Sequence, residues 1–323
     1  MTIDRRSFLY AGGLTAATAA PFATSVHAAA SPPEPNLADF GVKSDRERDQ
    51  TEALQNAINA LAGNGKPVIF PPGKFIADSL SIPGPATLIG LGRTDLRVRE
   101  IIVNSSGDLD AGDFYLSGIT FRRPSESATA AQLSINGLQV KISDCTFLGL
   151  AKGRAAIELA NCGGTIQRVV VGDTANGIIG TASSLTITDC QFIQCTFGIT
   201  LSSKHPSIVT QNQIVGGDVG ITVHGSAIVS HNAVEWTRKF GLKLGSAKSQ
   251  GHIVAQSNLI SYCRIGVGVS SSGDDIMLAL NMIAKATDGA IRAFDGDKLV
   301  GPDLARQSAE SYLNLMVAGN LVR

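Results

Sequence analysis

Apolar residues between positions 185 and 293 recur in one pattern, present five times with gaps of 22, 20, 25 and 24 residues. In each repeat an apolar residue lies three positions before a central anchor residue, and another lies two positions after it. A glycine follows eight or nine positions after the anchor, as Gly220 follows Asn212. A fixed period of this length predicts a solenoid, because one such unit cannot bury its apolar face alone. The anchors are Cys190, Asn212, Asn232, Ser257 and Asn281.

The repeat unit predicts one coil of a parallel β-helix. It has three short apolar segments rich in Val, Ile, Thr and Gly, which favours strands over the helical half of a leucine-rich repeat. Each strand would pair with its copy one coil later, about 4.8 Å away, and inward side chains would stack in rows. The span from residue 68 to residue 322 predicts about eleven coils. One predicted internal row is Ile199, Ile221, Leu242, Val267 and Ala290.

The anchor residues are predicted to lie where the chain bends. Asparagine and glycine tolerate left-handed backbone there, and stacked asparagines can hydrogen-bond along the column. We expect this ladder to be partial, because Cys190 and Ser257 replace asparagine at two anchors. In the Ser257 repeat the inward residues would be Val254 and Leu259.

A helix from Asp49 to Ala62 is predicted to cap the N-terminal end of the β-helix. Asp49 and Glu52 have the spacing of a capping box, and Gly63 follows the last helical residue. One apolar face would cover the side chains and strand edges that an open end exposes. A loop or short helix is expected over residues 295–311. No C-terminal plug is recognised, so we expect either that an oligomer or another partner protects this end or that the chain is shorter than its relatives. The apolar face consists of Leu54, Ala57, Ile58 and Leu61.

Five short segments stand out near this helix: Ala38–Gly41, Asp49–Thr51, Gln55 with Ala57–Ile58, Val68–Gly73 and Gly90–Gly92. Together they resemble the N-terminal block of the pectin-lyase-like superfamily, which includes pectate lyases, polygalacturonases and phage tailspikes. The later repeats are similar to those of alginate epimerases. The resemblance implies a right-handed parallel β-helix and, in many members, action on acidic or complex polysaccharides, but a fold does not by itself carry an activity.

The first thirty residues have the pattern of an export signal. Asp4-Arg5-Arg6-Ser7-Phe8-Leu9 is a twin-arginine pattern, and Val26-His27-Ala28 or Ala28-Ala29-Ala30 offers a cleavage site. We predict a signal peptide in residues 1–30, a linker in 31–37, a β-helix domain in 38–323, and a periplasmic location. A leader followed by such repeats resembles a family of exported repeat proteins with no assigned activity. The apolar run is too short to span a membrane, and no later segment predicts a span.

The net charge of the chain does not favour a nucleic acid or an anionic membrane as a partner. The chain has 27 basic and 27 acidic residues, and removal of Asp4, Arg5 and Arg6 leaves 25 and 26, a net charge of −1.

Five cysteines lie after the predicted cleavage site. Cys145 and Cys190 would be two coils apart, about 9.6 Å, which is too far for a disulfide. No two of these cysteines have the spacing typical of a zinc site. We therefore interpret all five as small buried apolar residues. No cofactor is identified. Two alternatives are left: binding of Ca²⁺, or binding of a cofactor that the folded protein carries through the twin-arginine pathway. The cysteines are Cys145, Cys162, Cys190, Cys195 and Cys263.

The repeat brings scattered polar residues to one outer surface. Lys243 beside an acid would suit a base for β-elimination from a uronate, although a solvated lysine is commoner. Asp274, Asp275 and Asp288 would suit the carboxylate pair of a glycosidase or Ca²⁺ ligands, although solvated turn residues are commoner. Trp236, the only tryptophan, would either stack on a sugar or fold onto the β-helix. The candidate catalytic residues are Asp218, His224, Lys243, Asp274, Asp275 and Asp288, and the candidate substrate-binding residues are Thr222, Trp236, Arg238 and Arg264.

Known site motifs do not transfer to this chain. Polygalacturonases resemble one another in Asn-Thr-Asp, Asp-Asp, Gly-His-Gly and Arg-Ile-Lys elements in that order, whereas here His224-Gly225 precedes Asp274-Asp275. The Asp-Pro-His element of alginate epimerases is absent. Two hypotheses remain. The first is an exported protein that binds or modifies a polysaccharide or cell-envelope glycan, as a lyase or hydrolase if it is an enzyme. The second is a non-catalytic scaffold that docks a partner through its repeat face or open C-terminal end.

Overall fold

The computed structural model describes residues 35–44, 47–105, 112–124, 130–149, 154–296, 298–306 and 312–323. The twin-arginine leader and most of the linker lie outside these residues, so their assignment stays a prediction. Residues from Pro35 onward form one compact unit. Within the described ranges, no helix is long and apolar enough to cross a membrane.

The described elements are almost all strands. The two helical elements are a 3-10 helix, Leu37–Phe40, and the α-helix α1, Thr51–Ala62. The strands are β1 (Val68–Phe70), β2 (Gly73–Pro83), β3 (Ala86–Asn104), β4 (Asp113–Arg122), β5 (Leu133–Asn136), β6 (Gln139–Ser143), β7 (Thr146–Leu148), β8 (Ile157–Ala160), β9 (Gly163–Gln167), β10 (Val170–Gly172), β11 (Asn176–Thr181), β12 (Ser184–Thr188), β13 (Gln191–Ile193), β14 (Phe197–Thr210), β15 (Gln213–Val215), β16 (Val219–Ser230), β17 (Ala233–Glu235), β18 (Phe240–Leu244), β19 (His252–Gln256), β20 (Leu259–Ser261), β21 (Ile265–Ser270), β22 (Asp275–Ala279), β23 (Met282–Ala284), β24 (Ile291–Asp295), β25 (Lys298–Asp303), β26 (Leu315–Ala318) and β27 (Leu321–Val322).

The strands wind into a single right-handed parallel β-helix with three faces, as predicted. Face A runs from β1 through β3, β4, β6, β9, β12, β14, β16, β19 and β22 to β26. Face B runs from β2 through β3, β4, β7, β10, β13, β15, β17, β20 and β23 to β27. Face C has ten strands joined by nine parallel pairings, from β2 through β3, β5, β8, β11, β14, β16, β18 and β21 to β24. Faces A and B each stack eleven strands, close to the predicted number of coils.

The helix α1 starts two residues later than predicted. The Asp49 carboxylate accepts hydrogen bonds from the N–H and hydroxyl groups of Thr51, both at 2.6 Å. Asp49 therefore precedes the helix, hydrogen-bonds to its first residue and forms no capping box with Glu52. A capping box occurs instead in the preceding 3-10 helix, between Asn36 and Asp39. The predicted apolar face of α1 is buried, consistent with a cap on the first coil.

The predicted internal row of face C is confirmed through four coils. Ile199 pairs with Ile221, which pairs with Leu242, which pairs with Val267, and all four are buried. The next member is Ile291 and not Ala290, because Val267 pairs with Ile291.

A one-residue error also affects the predicted repeat at Ser257. Side chains alternate between the two sides of a strand, so a shift by one residue exchanges inside and outside. The inward residues here are Ala255, Asn258 and Ile260, and not the predicted Val254, Ser257 and Leu259. Ser257 instead takes the left-handed corner position, with φ of 54°.

With this correction the asparagine ladder is continuous. Asn232 accepts hydrogen bonds from the backbone N–H and the side-chain amide of Asn212, both at 3.0 Å. Its own amide donates to the Val209 carbonyl at 2.9 Å and to Asn258 at 3.0 Å. The same pattern extends from Asn258 through Asn281 to Asn320. The prediction of a partial ladder is therefore wrong for the last five coils.

The five cysteines are all buried free thiols, as interpreted from the sequence. Burial raises the pKa of Cys145 and of Cys190 to about 12. Burial likewise raises the pKa of Cys162, Cys195 and Cys263. Because the thiolate is the reactive form, these thiols are inert at neutral pH while the protein stays folded.

The segment after residue 295 forms a strand rather than the predicted loop or helix. Strand β25 pairs antiparallel with β24 and replaces an eleventh strand on face C. The Asp303 carboxylate then accepts hydrogen bonds from the N–H groups of Ala290 and Ile291, at 2.9 and 3.0 Å. These bonds satisfy donors at the edge of β24. Residues 307–311 lie outside the described ranges.

Candidate functional site

The sequence-predicted site residues fall in three places around face C. The first is the corner between faces B and C, the second is the outer side of face C, and the third is the corner between faces C and A. The first place holds Asp218, Trp236, Arg238, Arg264 and Asp288, the second holds Thr222, His224 and Lys243, and the third holds Asp274 and Asp275.

Trp236 and Tyr262 form an exposed aromatic pair at the B–C corner. They directly follow Glu235 and Ser261, which pair on consecutive coils, so the two side chains stack. Their rings are parallel within 5°, with centroids 4.2 Å apart, and the residues are 57% and 47% exposed. A sugar ring can pack on such a surface because an aromatic face is both apolar and flat.

On the preceding coil, the position that corresponds to Trp236 is Gly216, since Val215 pairs with Glu235. Gly216 has φ of +83°, and a β-carbon at this position would lie 2.7 Å from Nε2 of Gln194. The amide of Gln194 therefore lies against this glycine and offers polar groups near the aromatic pair.

The acids beside the aromatic pair are held in ion pairs. Asp218 contacts Arg238 at 2.7 Å and Lys239 at 2.9 Å. The hydrogen bond from Lys239, followed by that from Arg238, lowers the pKa of Asp218. Asp288 pairs with Arg264 at 2.5 Å. The low pKa keeps Asp218 ionised at neutral pH, so it is unsuited to act as a general acid there.

The outer side of face C is more closed than predicted. Thr222 lies between Thr200 and Lys243 in register and is only 8% exposed. The Nζ atom of Lys243 lies over the rings of Phe294 and Phe240, 5.0 and 5.8 Å from their centroids. This contact, a cation–π interaction, was not expected from the sequence.

Asp274 and Asp275 are two of the three acids predicted to supply a carboxylate pair, and they do not form one with each other. Asp274 is fully buried and accepts hydrogen bonds from the N–H groups of Gly225 (3.1 Å), Ser246 (3.0 Å) and Gly251 (2.6 Å) and from the Ser249 hydroxyl (2.6 Å). Asp275 is exposed and pairs with His252 at 3.1 Å. The first acid therefore fastens the loop 245–251, while the second faces solvent.

This loop forms one wall of a cleft of about 680 Å³ at the C–A corner. His224 lies in the cleft beside Gly225, and its imidazole has no hydrogen-bond partner among the described residues. Burial, and then the charge of Lys243, lowers the pKa of His224, with Asp274 acting in the opposite direction. The other lining residues are Thr181, Ala182, Ser202, Ser203, His205, Ala247, Lys248, Ser249 and Gln250.

Within the described residues, no group of three or more His, Cys, Asp or Glu side chains could hold a metal ion. Ca²⁺ binding stays a prediction. A cofactor carried through the twin-arginine pathway stays a prediction.

Gln194, the Phe240–Phe294 pair and the loop 245–251 were not selected from the sequence as site features. Tyr262 was placed on the same outer surface as Trp236, which it follows by 26 residues, but it was not selected as a binding residue. The repeat does not reveal the loop, because the residue that fastens it, Asp274, lies on the next coil.

Comparisons with known proteins agree with the fold. Residues 131–283 match a family model described as a right handed beta helix region. A tailspike protein of E. coli bacteriophage HK620, solved with a pentasaccharide, has a TM-score of 0.56 and 14% identity, covering 89% of this chain and 63% of that chain. A family 28 exopolygalacturonase of Yersinia enterocolitica has a TM-score of 0.51 and 10% identity, covering 89% of this chain and 77% of that chain. No curated protein matches this chain.

The fold and these comparisons define a parallel β-helix protein. More narrowly, its fold is the right-handed parallel β-helix. At such low identity the likeness concerns the fold alone. The chain spans less than two thirds of the length of the tailspike.

Proposed function

We propose that this protein binds a polysaccharide at the B–C corner, with Trp236 and Tyr262 as the surface on which a sugar ring stacks. The observation that carries the proposal is the exposed, parallel aromatic pair itself. Arg238 and Arg264 lie at the same corner on the same two coils and offer hydrogen-bond donors to sugar hydroxyl or carboxylate groups.

The named relatives support a glycan as the ligand class. The tailspike was solved in complex with a pentasaccharide, and the Yersinia protein is named an exopolygalacturonase. We favour binding over cleavage, because Asp218 and Asp288 are held in ion pairs and Asp274 is buried. A lyase or hydrolase activity is the enzymatic alternative.

Glycan-array binding followed by product analysis tests this proposal. We expect Trp236→Ala to weaken binding of any hit about thirtyfold, since a central tryptophan contributes about 2 kcal/mol or more to binding. Tyr262→Ala should also weaken binding. Tyr115→Ala, which removes a half-buried aromatic on face A, is the matched control and should bind normally. Full affinity in Trp236→Ala would overturn the aromatic site. Products that disappear in Lys243→Ala or Asp218→Ala would establish an enzyme.

A second candidate function is a scaffold that docks another protein. A row of apolar side chains runs along the outer side of face A on five consecutive coils. Three of its members are exposed, and monomers rarely expose apolar patches of this kind. An array without any glycan hit would favour this function. The row consists of Ile208, Ile228, Val254, Met277 and Met316.

We also propose export to the periplasm through the twin-arginine pathway. Five buried thiols support this route, because a chain that folds before export enters the oxidising compartment with its cysteines already protected. Changing Arg5 and Arg6 together to lysine should leave the protein in the cytoplasmic fraction, measured by cell fractionation and immunoblot. Lys43→Gln serves as a charge-change control outside the leader. Normal periplasmic recovery of the double variant would contradict this route.

A further inference from the structure

A cluster of charged side chains lies on the outer side of face B, on the second and third strands of that face. Leu96 and Phe121 are buried inside the β-helix. Because side chains alternate along a strand, the residues next to them point outward. These outward residues, which we call the face B cluster, are Asp95, Arg97 and Arg122.

The face B cluster is separate from the proposed glycan site. Its last strand, β4, is five pairings before β17 on the same face, and the aromatic pair begins directly after β17. Five coils correspond to roughly 24 Å along the axis of the β-helix. The cluster therefore lies beyond the reach of a sugar ring bound at Trp236, and its role is independent of the one proposed above.

Among the described contacts, only one of the two arginines has a counterion. Nε of Arg122 donates a hydrogen bond to Oδ2 of Asp95 at 3.1 Å. Arg97 is in register with Arg122 on the neighbouring strand, and within the described residues it makes no hydrogen bond or ion pair. Like charges opposite each other on neighbouring strands are destabilising. The pair of arginines therefore favours a further anion.

Two atoms of the cluster also lack hydrogen-bond partners although they are buried. They are Nε of Arg97 and Oδ1 of Asp95, and a buried polar atom without a partner is costly. The nearby acids do not supply the missing partner, because Asp78 and Glu100 both pair with Arg99 at 2.8 Å. The outer part of the cluster is accessible to a ligand, since the side chains of Arg122 and Asp95 are 46% and 29% exposed.

We propose that the face B cluster binds a phosphate group, either as inorganic phosphate or as the terminal group of a phosphorylated molecule. Arginine presents paired N–H donors that match the oxygens of phosphate, and the two guanidinium groups lie on adjacent strands about 4.8 Å apart. Asp95 adds selectivity. A phosphate group has a second pKa of about 6, so it can donate a proton to the carboxylate. Sulfate carries no proton at neutral pH, and Asp95 repels it.

Isothermal titration calorimetry of the whole protein at about pH 6.5, near the second pKa of phosphate, tests this site. The probe is sodium phosphate, and sodium sulfate is its match without a proton. We expect phosphate to bind at least about tenfold more tightly than sulfate, the effect of one charge-assisted hydrogen bond. Arg97→Gln should lower the affinity for phosphate about tenfold, and Arg97→Lys, which keeps the charge but loses the paired donors, should lower it less. Arg168→Gln is the matched control, because it removes an exposed arginine that pairs with Asp144 elsewhere, and it should bind phosphate normally.

Asp95→Asn tests the origin of the selectivity. An amide neither repels sulfate nor requires a proton from the ligand, so this variant should bind sulfate about as tightly as phosphate. Equal affinities of the wild type for the two anions would indicate an adventitious ion only. Phosphate binding that persists unchanged in Arg97→Gln would also overturn the site.

Glycerol phosphate, with glycerol as its neutral match, identifies the source of the phosphate group. Binding of the ester as well as the free ion would assign the site to a phosphorylated molecule. Binding of the free ion alone would assign it to inorganic phosphate.

Discussion

Replacing Asn232 with leucine is expected to lower the free energy of unfolding by about 3–5 kcal/mol. Leucine has a similar volume but neither accepts nor donates hydrogen bonds. The change would remove the acceptor of the buried Asn212 N–H group, one of the two acceptors of the Asn212 side-chain amide, and the amide that donates to the Val209 carbonyl. Leaving a buried polar group without a partner costs about 1–3 kcal/mol, and water cannot reach this column without opening the coils.

Urea denaturation followed by circular dichroism measures this effect. Gln213→Leu is a matched control, because Gln213 directly follows the ladder residue Asn212, faces outward and is exposed. An exposed substitution of this kind should stay within about 0.5 kcal/mol of the wild type. Equal stability of Asn232→Leu and Gln213→Leu would show that the ladder contributes nothing to folding.

Replacing Asp274 with alanine is expected to destabilise the protein by about 2–4 kcal/mol and to release the loop 245–251. The carboxylate is the shared acceptor for three backbone N–H groups and the Ser249 hydroxyl. Without it, the N–H groups of Gly225, Ser246 and Gly251 lose their partner. The loop can satisfy them with water only by moving away from the coil, and the cleft beside His224 would lose that wall.

Hydrogen exchange detects this local opening, since amide protection of Gly251 should fall by orders of magnitude. The neighbouring acid offers a matched control. Asp275→Ala removes an exposed carboxylate that pairs only with His252 among the described contacts, and its effect on stability should be below about 0.5 kcal/mol. If Asp274→Ala kept the protection of Gly251, the carboxylate would not be what holds the loop.

Much of the fold could be predicted from the sequence because each inward row repeats one physical requirement. Ile199, Ile221, Leu242 and Val267 fill equivalent places, so their spacing gives the coil length. The prediction failed by one residue at Ser257, because Ser257 and Asn258 both suit a corner. The loop 245–251 also lengthens that coil, so the period alone could not decide between them.

The candidate site was less accessible to prediction than the fold. The repeat spacing placed Trp236, Arg238 and Asp218 in equivalent loops, which lie at one corner. It did not show which side chains these residues contact. The ion pairs of Asp218 and Asp288 depend on side chains from the adjacent coil. The burial of Asp274 depends on a loop that the repeat does not encode. Outward positions have no common packing requirement, so their contacts leave no periodic trace in the sequence.

The ladder from Asn212 to Asn320 has a consequence for how such a chain can change over evolution. Each rung offers the same acceptor to one neighbour and the same donor to the other. A segment from one rung to the next, such as residues 213–232, is therefore an interchangeable module. Its loss would bring Asn212 opposite Asn258 with donors and acceptors still matched. Lengthening or shortening by whole modules preserves the interior, whereas insertion of half a module inside the strands does not.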